Sequence, residues 1–150
     1  MSLTAKFNGS HIGSITQNRV VLPKPFKEVL NSYPTDKIVV TFNPNGCLVL
    51  YPKAGYEDAC DVLENSDKDV DTHMLFLWEH YSMGVQTLEG SAGRFRISAE
   101  LMDKAKITDK VKFVGRGNFV SLWSVEVFEE YERSIEEKFK NTTERPSVKL

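Results

Sequence analysis

Residues 18–30 read NRVVLPKPFKEVL and residues 36–52 read DKIVVTFNPNGCLVLYP; residues 93–105 read GRFRISAELMDKA and residues 109–124 read DKVKFVGRGNFVSLWS. The second pair repeats the first in worn form. Superposing Arg19 on Arg94 sets Val20 on Phe95, Leu22 on Ile97 and Phe26 on Leu101, so apolar character persists while identity drifts. Positions that share a core behave in this way. The duplication, about residues 7–52 and 85–124, predicts two similar half-domains packed on a pseudo-two-fold axis.

Each copy reads as strand, turn, strand, short helix, hairpin. In the first, an extended stretch near residues 5–12 meets a turn at 15–18, followed by a short strand over 19–22. Asn18 and Gly93 stand just before the two arginines, and both residue types tolerate the left-handed backbone of a tight hairpin. Pro23 and Pro25 suit the start of a helix running to about Leu30, with Phe26, Val29 and Leu30 at helical spacing. Residues 99–106 repeat it. Strands over 36–42 and 47–51 flank Asn43-Pro44-Asn45-Gly46, and strands over 109–114 and 119–123 flank Gly115-Arg116-Gly117-Asn118. A helical linker is expected over about 56–84, from segments 56–64 and 70–83. A final helix over about 125–140 carries Val127, Phe128, Tyr131, Ile135 and Phe139 along one stripe. The polar residues 141–150 are expected to be loose.

At 150 residues, 41% hydrophobic and 27% charged, the chain suits a single unit with one ordinary core. No stretch approaches the roughly 18 uninterrupted apolar residues that span a membrane. Its two cysteines, Cys47 and Cys60, form no CxxC pair, so neither a disulfide framework nor a structural zinc site is indicated. The opening Met-Ser-Leu has no basic start or long apolar run, and the expected compartment is the reducing cytoplasm. The net charge of −2 hides an asymmetry. Residues 1–56 hold six Lys/Arg against two Asp/Glu and residues 81–121 seven against four, whereas residues 57–80 hold one against eight. Both copies of the repeat are basic, the footprint of a polyanion partner or, on the plainer reading, of unevenly solvated faces.

Alternation along the short strands turns Val20, Leu22, Phe95 and Ile97 inward and displays Arg19, Arg94 and Arg96 outward. Displayed arginines beside turns suit bidentate contact with phosphate or with guanine edges, or are simply solvated. His73 and His80 are seven residues apart, with Glu79 nearby; zinc-binding helices space their ligands by three or four, and no third cluster follows, so no metal is expected. Met74, Leu75, Leu77, Trp78 and Tyr81 cover too wide an arc for one buried stripe, which fits a helix packed on both the core and a neighbouring subunit, or core packing alone. No nucleophile stands beside a base in sequence, and Gly115-Arg116-Gly117 lacks the strand and helix of a dinucleotide loop. An enzyme is not indicated.

The repeated turn-arginine unit, GCLVLYP after the first hairpin, VGRGNFVSLW after the second and the acidic linker between them together resemble the MraZ family. The resemblance runs from about residue 7 to 137 and rests on the order of many segments. It implies an α+β fold of two swapped-hairpin, AbrB-like (double-split β-α-β) halves forming a small β-barrel with peripheral helices, as one domain over residues 1–150. It also implies a DNA-binding transcriptional regulator of the division and cell-wall gene cluster, without cofactor, self-associating into a ring on tandem promoter repeats of double-stranded DNA. Such a protein is nucleoid-associated. Arg19, Arg94 and Arg96, with Gln17 and Asn18 of the first turn, are then the DNA-contacting set. The family places an aspartate four residues before each arginine, where this chain has Ile15 and Gly90. Glu89 lies one position earlier and substitutes in part for the second aspartate if that turn is a residue longer; loss of the acidic partner leaves Arg19 less constrained. An AbrB-like antitoxin or protein-interaction module is the rival reading, and a small enzyme with a spatially assembled site a further one.

Overall fold

The computed structural model describes residues 5–34, 36–43, 45–64, 86–89 and 93–141, with the side chains of residues 59, 60, 62–64, 86 and 87 left undescribed. Eight strands and four helices follow in order among these residues. The first repeat supplies β1 (Ser10–Ser14), β2 (Arg19–Val21), α1 (Lys24–Leu30), β3 (Lys37–Asn43) and β4 (Cys47–Pro52). α2 (Lys53–Glu64) leads out of it. The second supplies β5 (Gln86–Thr87), β6 (Arg94–Arg96), α3 (Ala99–Ala105), β7 (Lys110–Gly115) and β8 (Val120–Trp123), and α4 (Val125–Asn141) ends the described chain. The expected linker helix 70–83, with His73, His80 and the apolar set around Trp78, lies outside the described residues, as do residues 142–150.

Six strands form one antiparallel sheet in the order β1-β7-β8-β4-β3-β5, and β2 pairs with β6 in a separate ribbon. The order reads the same when the repeats are exchanged. β1 lies on β7 and β5 on β3, so the first strand of each repeat extends the hairpin of the other. The register obeys the same exchange: the β2–β6 ribbon is centred on Val20 opposite Phe95, and the β4–β8 seam on Val49 opposite Ser121. Two further bonds complete the symmetry, Leu22 N–H to the Gly93 carbonyl at 3.0 Å and Ile97 N–H to the Asn18 carbonyl at 2.8 Å.

The closed barrel implied by the resemblance is not formed. Among the described residues β1 and β5 are the edges of the sheet, and the ribbon joins it only at two corners, where Thr16 bridges Arg19 and Glu89 bridges Arg94. Closure needs continuous pairing all round, and one bridge at each corner does not supply it.

One core serves both repeats. Val20, Leu22, Phe26, Ile38, Val40, Leu48 and Leu50 pack with their counterparts Phe95, Ile97, Leu101, Val111, Phe113, Val120 and Leu122, all buried. The two short helices reach this core by different starts. α1 has Pro23 at its N-cap with no capping side chain, and Pro25 in its first turn sets a helical φ where a backbone N–H has no partner within the helix to lose. In α3 the Ser98 hydroxyl accepts from the Leu101 N–H at 3.2 Å, and Lys106, at φ 58°, closes the far end in a left-handed turn. Phe7 is pinned over the core by a reciprocal backbone pair with Gly117, at 2.8 and 3.0 Å.

α2 and α4 cover the opposite face of the sheet. Tyr56 of α2 packs on Val39 and Tyr51, while Phe128 and Tyr131 of α4 lie on Trp123, with centroids 5.4 and 4.8 Å away. The stripe expected along α4 is only partly used: Phe128 is buried and Phe139 is 52% exposed. A helix of 17 residues is about 25 Å long and outruns a four-residue β8.

Candidate DNA-binding ribbon

The ribbon of β2 and β6 carries the predicted residues. Its inner face is Val20 and Phe95, 2% and 0% exposed, and its outer face is Arg19 and Val21 beside Arg96 and Arg94. Arg19 stands directly opposite Arg96, and Val21 opposite Arg94. Like charges opposed across a ribbon repel by an amount of the order of a cross-strand pair, roughly 0.2–1 kcal/mol. A structure that accepts such crowding has gathered positive charge on one surface.

The two turns that feed the ribbon differ. In the first, Thr16 and Arg19 exchange backbone bonds of 3.0 Å each, leaving Gln17 and Asn18 as a two-residue loop. Both have positive φ, 52° and 62°, the type I′ geometry that matches the twist of the flanking strands. Asparagine adopts it readily; glutamine there is the more strained choice. In the second, Glu89 and Arg94 exchange bonds of 2.6 and 3.0 Å around four residues, 90–93. Gly93 there has φ +73°, and a Cβ built on it meets the Lys27 stem at 3.0 Å. The second turn is therefore two residues longer than the first, where the sequence suggested one.

That extra length changes the partner of Glu89. Its carboxylate Oε2 lies 3.3 Å from Nε of Arg19, the arginine of the other repeat, and among the described residues Arg94 has no ion pair. Nε of Arg19 is shielded from solvent and its N–H is not aligned for a hydrogen bond, so the contact is an ion pair by proximity. Both side chains are about half exposed, 42% and 56%, and such a pair contributes on the order of 0–1 kcal/mol. Arg19, expected to be less constrained for want of its own aspartate, thus has an acidic partner from the other repeat.

Beside the ribbon lies a concavity of about 340 Å³, lined by Ser14, Thr16, Gln17, Arg19, Val20, Val21 and Arg94. The structure brings Arg19, Arg94 and Gln17 to one surface. Arg96 shares their face of the ribbon without lining the hollow, and Asn18 sits at the turn, its carbonyl engaged by Ile97. Sequence reasoning missed Glu89 as the partner of Arg19, and Ser14 and Thr16 as lining groups. The exchange of first strands between repeats is the signal that places an acid of one copy beside the arginine of the other.

No chemistry of bond breaking is assembled elsewhere among the described residues. Burial pushes the Cys47 thiol up to about 11, against a smaller lowering by Arg116, which makes it a poor nucleophile. Burial, with Asp58 adding to it, also raises Tyr33. No group of three or more His, Cys, Asp or Glu suited to a metal ion occurs among the described residues. No helix among them is long and apolar enough to cross a membrane.

The chain is thus an α+β fold of two exchanged repeats with arginines displayed on a separate two-stranded ribbon. Comparison with known proteins gives the family. Residues 90–149 match the family model described as "MraZ protein, putative antitoxin-like". The chain is similar to the transcriptional regulator MraZ of Caldanaerobacter subterraneus subsp. tengcongensis, at 30% identity over 86% of this chain and 87% of the relative. It is similar to that of Neisseria meningitidis serogroup A at 32% identity over 82% and 83%, and to that of Spiroplasma kunkelii at 26% over 86% and 90%. The chain belongs to the MraZ family. Its relatives carry a regulator's name, so this is a family of transcriptional regulators and not of enzymes.

Proposed function

We propose that this protein is a sequence-specific, DNA-binding transcriptional regulator that works without a cofactor. The observation that carries the reading is the outward face of the β2–β6 ribbon, where Arg19, Arg94 and Arg96 stand together beside a tight turn bearing Gln17 and Asn18. A two-stranded ribbon fits the major groove, and arginine is the side chain that best forks onto guanine edges and phosphates. The regulator's name borne by the relatives supports the same conclusion.

The finer reading goes further. Residues 1–150 form one MraZ-like domain of two swapped-hairpin halves; the pairing of β1 with β7 and of β5 with β3 supports it. Its partner is double-stranded DNA carrying tandem promoter repeats of the division and cell-wall cluster, in the nucleoid of the cytoplasm. One ribbon neutralises few phosphates, and affinity built from so few contacts is weak and salt-dependent. Self-association into a ring presents several ribbons to successive repeats, and effective concentration then multiplies weak contacts. A mobility-shift assay at controlled salt with the DNA upstream of its own gene, paired with solution mass with and without that DNA, tests both parts. Binding no stronger than to scrambled DNA rejects the first, and a monomeric mass in both states the second.

The family model's antitoxin-like description favours a second reading, in which the same fold neutralises a partner protein. Copurification of a small protein encoded beside the gene, with no DNA selectivity, favours it.

A further inference from the structure

We propose that Glu89 is a positioning residue acting across the repeats: it sets Arg19 for reading a guanine edge, and leaves Arg94 to contact phosphate. The inference rests on the DNA-binding reading above and assigns unequal work within it to the two halves.

The backbone of Glu89 is fixed by its two bonds to Arg94, at 2.6 and 3.0 Å. Its carboxylate nevertheless meets Nε of Arg19, at 3.3 Å. The contact at Nε is by charge and not by an aligned N–H, so it leaves the forked donors of the guanidinium uncommitted to the acid. The side chain remains 42% exposed, so the group is both oriented and accessible. Arg19 also follows directly on the two-residue turn, whose backbone is closed by two bonds of 3.0 Å. Arg94 is separated from Glu89 by four residues in sequence and has no ion pair among the described residues. Bidentate recognition of guanine O6 and N7 demands a fixed fork, and pre-orientation reduces the ordering cost of binding. Phosphate is read by charge from many directions and needs no such support. One acid and two arginines thus divide the ribbon into a base-reading corner and a backbone-holding corner. The acid also serves discrimination by itself, because a carboxylate on a DNA-facing surface penalises every wrong alignment in which no base compensates Arg19.

The experiment measures full-length protein against two duplexes, the DNA immediately upstream of its own gene and a scrambled duplex of equal length and composition, by fluorescence anisotropy across a salt series. Glu89→Gln is expected to lower affinity for the native duplex roughly five- to ten-fold and to leave the scrambled duplex within about two-fold or slightly tighter, since a negative charge is removed. Arg94→Ala is expected to weaken both duplexes alike. Arg19→Lys keeps the charge and is expected to lose selectivity as Glu89→Gln does; adding Glu89→Gln to it should cost no further selectivity, because the acid acts through the arginine's fork. A Glu89→Gln protein with unchanged selectivity, or a double variant whose losses multiply, overturns the proposal while leaving DNA binding intact. A wild-type protein that does not tell the two duplexes apart overturns the DNA reading itself, and this inference with it.

Discussion

Oε2 of Glu89 lies 3.3 Å from Nε of Arg19, so a carboxylate of the second repeat holds an arginine of the first. The contact follows from the topology. β2 and β6 pair across the pseudo-two-fold axis, and the bridge between Glu89 and Arg94 brings that acid to the ribbon's corner. An acid displaced along its own turn is thereby offered to the neighbouring strand. Duplication gave the fold its symmetry, and unequal turn lengths removed that symmetry from the surface while the core kept it.

Replacing Arg19 or Arg94 by alanine is expected to lower affinity for the upstream DNA about ten-fold at low salt, with the salt slope reduced by about one unit for Arg94→Ala, which removes a phosphate contact, and selectivity relaxed for Arg19→Ala, which removes a base contact. Both side chains lie on the outer face of the ribbon, so unfolding free energy should change by less than about 0.5 kcal/mol. Anisotropy titrations and urea denaturation of the same samples check the two halves of the expectation together.

Gly115→Ala is expected to destabilise the protein by about 1–3 kcal/mol. A Cβ at that position stands 2.6 Å from the carbonyl carbon and oxygen of Phe7, which are backbone and cannot swing aside. Gly117→Ala is the control: φ is +83° but nothing lies within 4 Å, so only the backbone cost of about 1 kcal/mol applies. Denaturation midpoints that rank Gly117→Ala as the worse of the two contradict the packing described for Phe7.

Cys47 is expected to resist alkylation at pH 8 in the folded protein and to react at once in denaturant. Its thiol is buried and held up to about 11, so the reactive thiolate is scarce. The sign for stability follows: the unfolded thiol ionises first, near 9, so this contribution is complete below that pH and is lost as pH climbs to about 11. Mass spectrometry of a Cys60→Ser background, where Cys47 is the sole remaining thiol, measures the rate directly.

The core was legible in the sequence because the duplication showed which positions must stay apolar. Val20, Leu22, Phe26 and their counterparts Phe95, Ile97 and Leu101 are all buried, and alternation then settled that Arg19, Arg94 and Arg96 face away from it. Most segment boundaries came within a few residues, α2 starting at Lys53 rather than at residue 56, and the largest drift is β1, which starts at Ser10 where the extended stretch was expected from about residue 5. Barrel closure was not legible, since it depends on how many bonds each corner makes and not on any residue's propensity. The partner of Glu89 was hidden for a similar reason. An acid four or five residues before an arginine suggests a local pair, and only the exchange of strands shows that another arginine is nearer.

Phe95 and Val20 face each other at the centre of the ribbon, a large residue of one repeat against a small one of the other. Phe95→Ala is expected to cost about 3–5 kcal/mol, since the ring is wholly buried and meets Phe113 edge-on, with centroids 6.4 Å apart. Phe95→Val leaves a smaller hole and should cost less than that. The informative variant is the exchange, Val20→Phe with Phe95→Val, which conserves volume at the axis. It should recover part of the Phe95→Val loss if the two halves are interchangeable in their core. Gly13 limits the recovery, because a Cβ built there already stands 3.3 Å from Cγ2 of Val20 and a ring at position 20 meets the same strand. A thermodynamic cycle over the two single variants and the double one gives the coupling. A favourable coupling above about 0.5 kcal/mol is the expected result, and strictly additive losses show that the repeats have diverged too far at the axis to trade side chains.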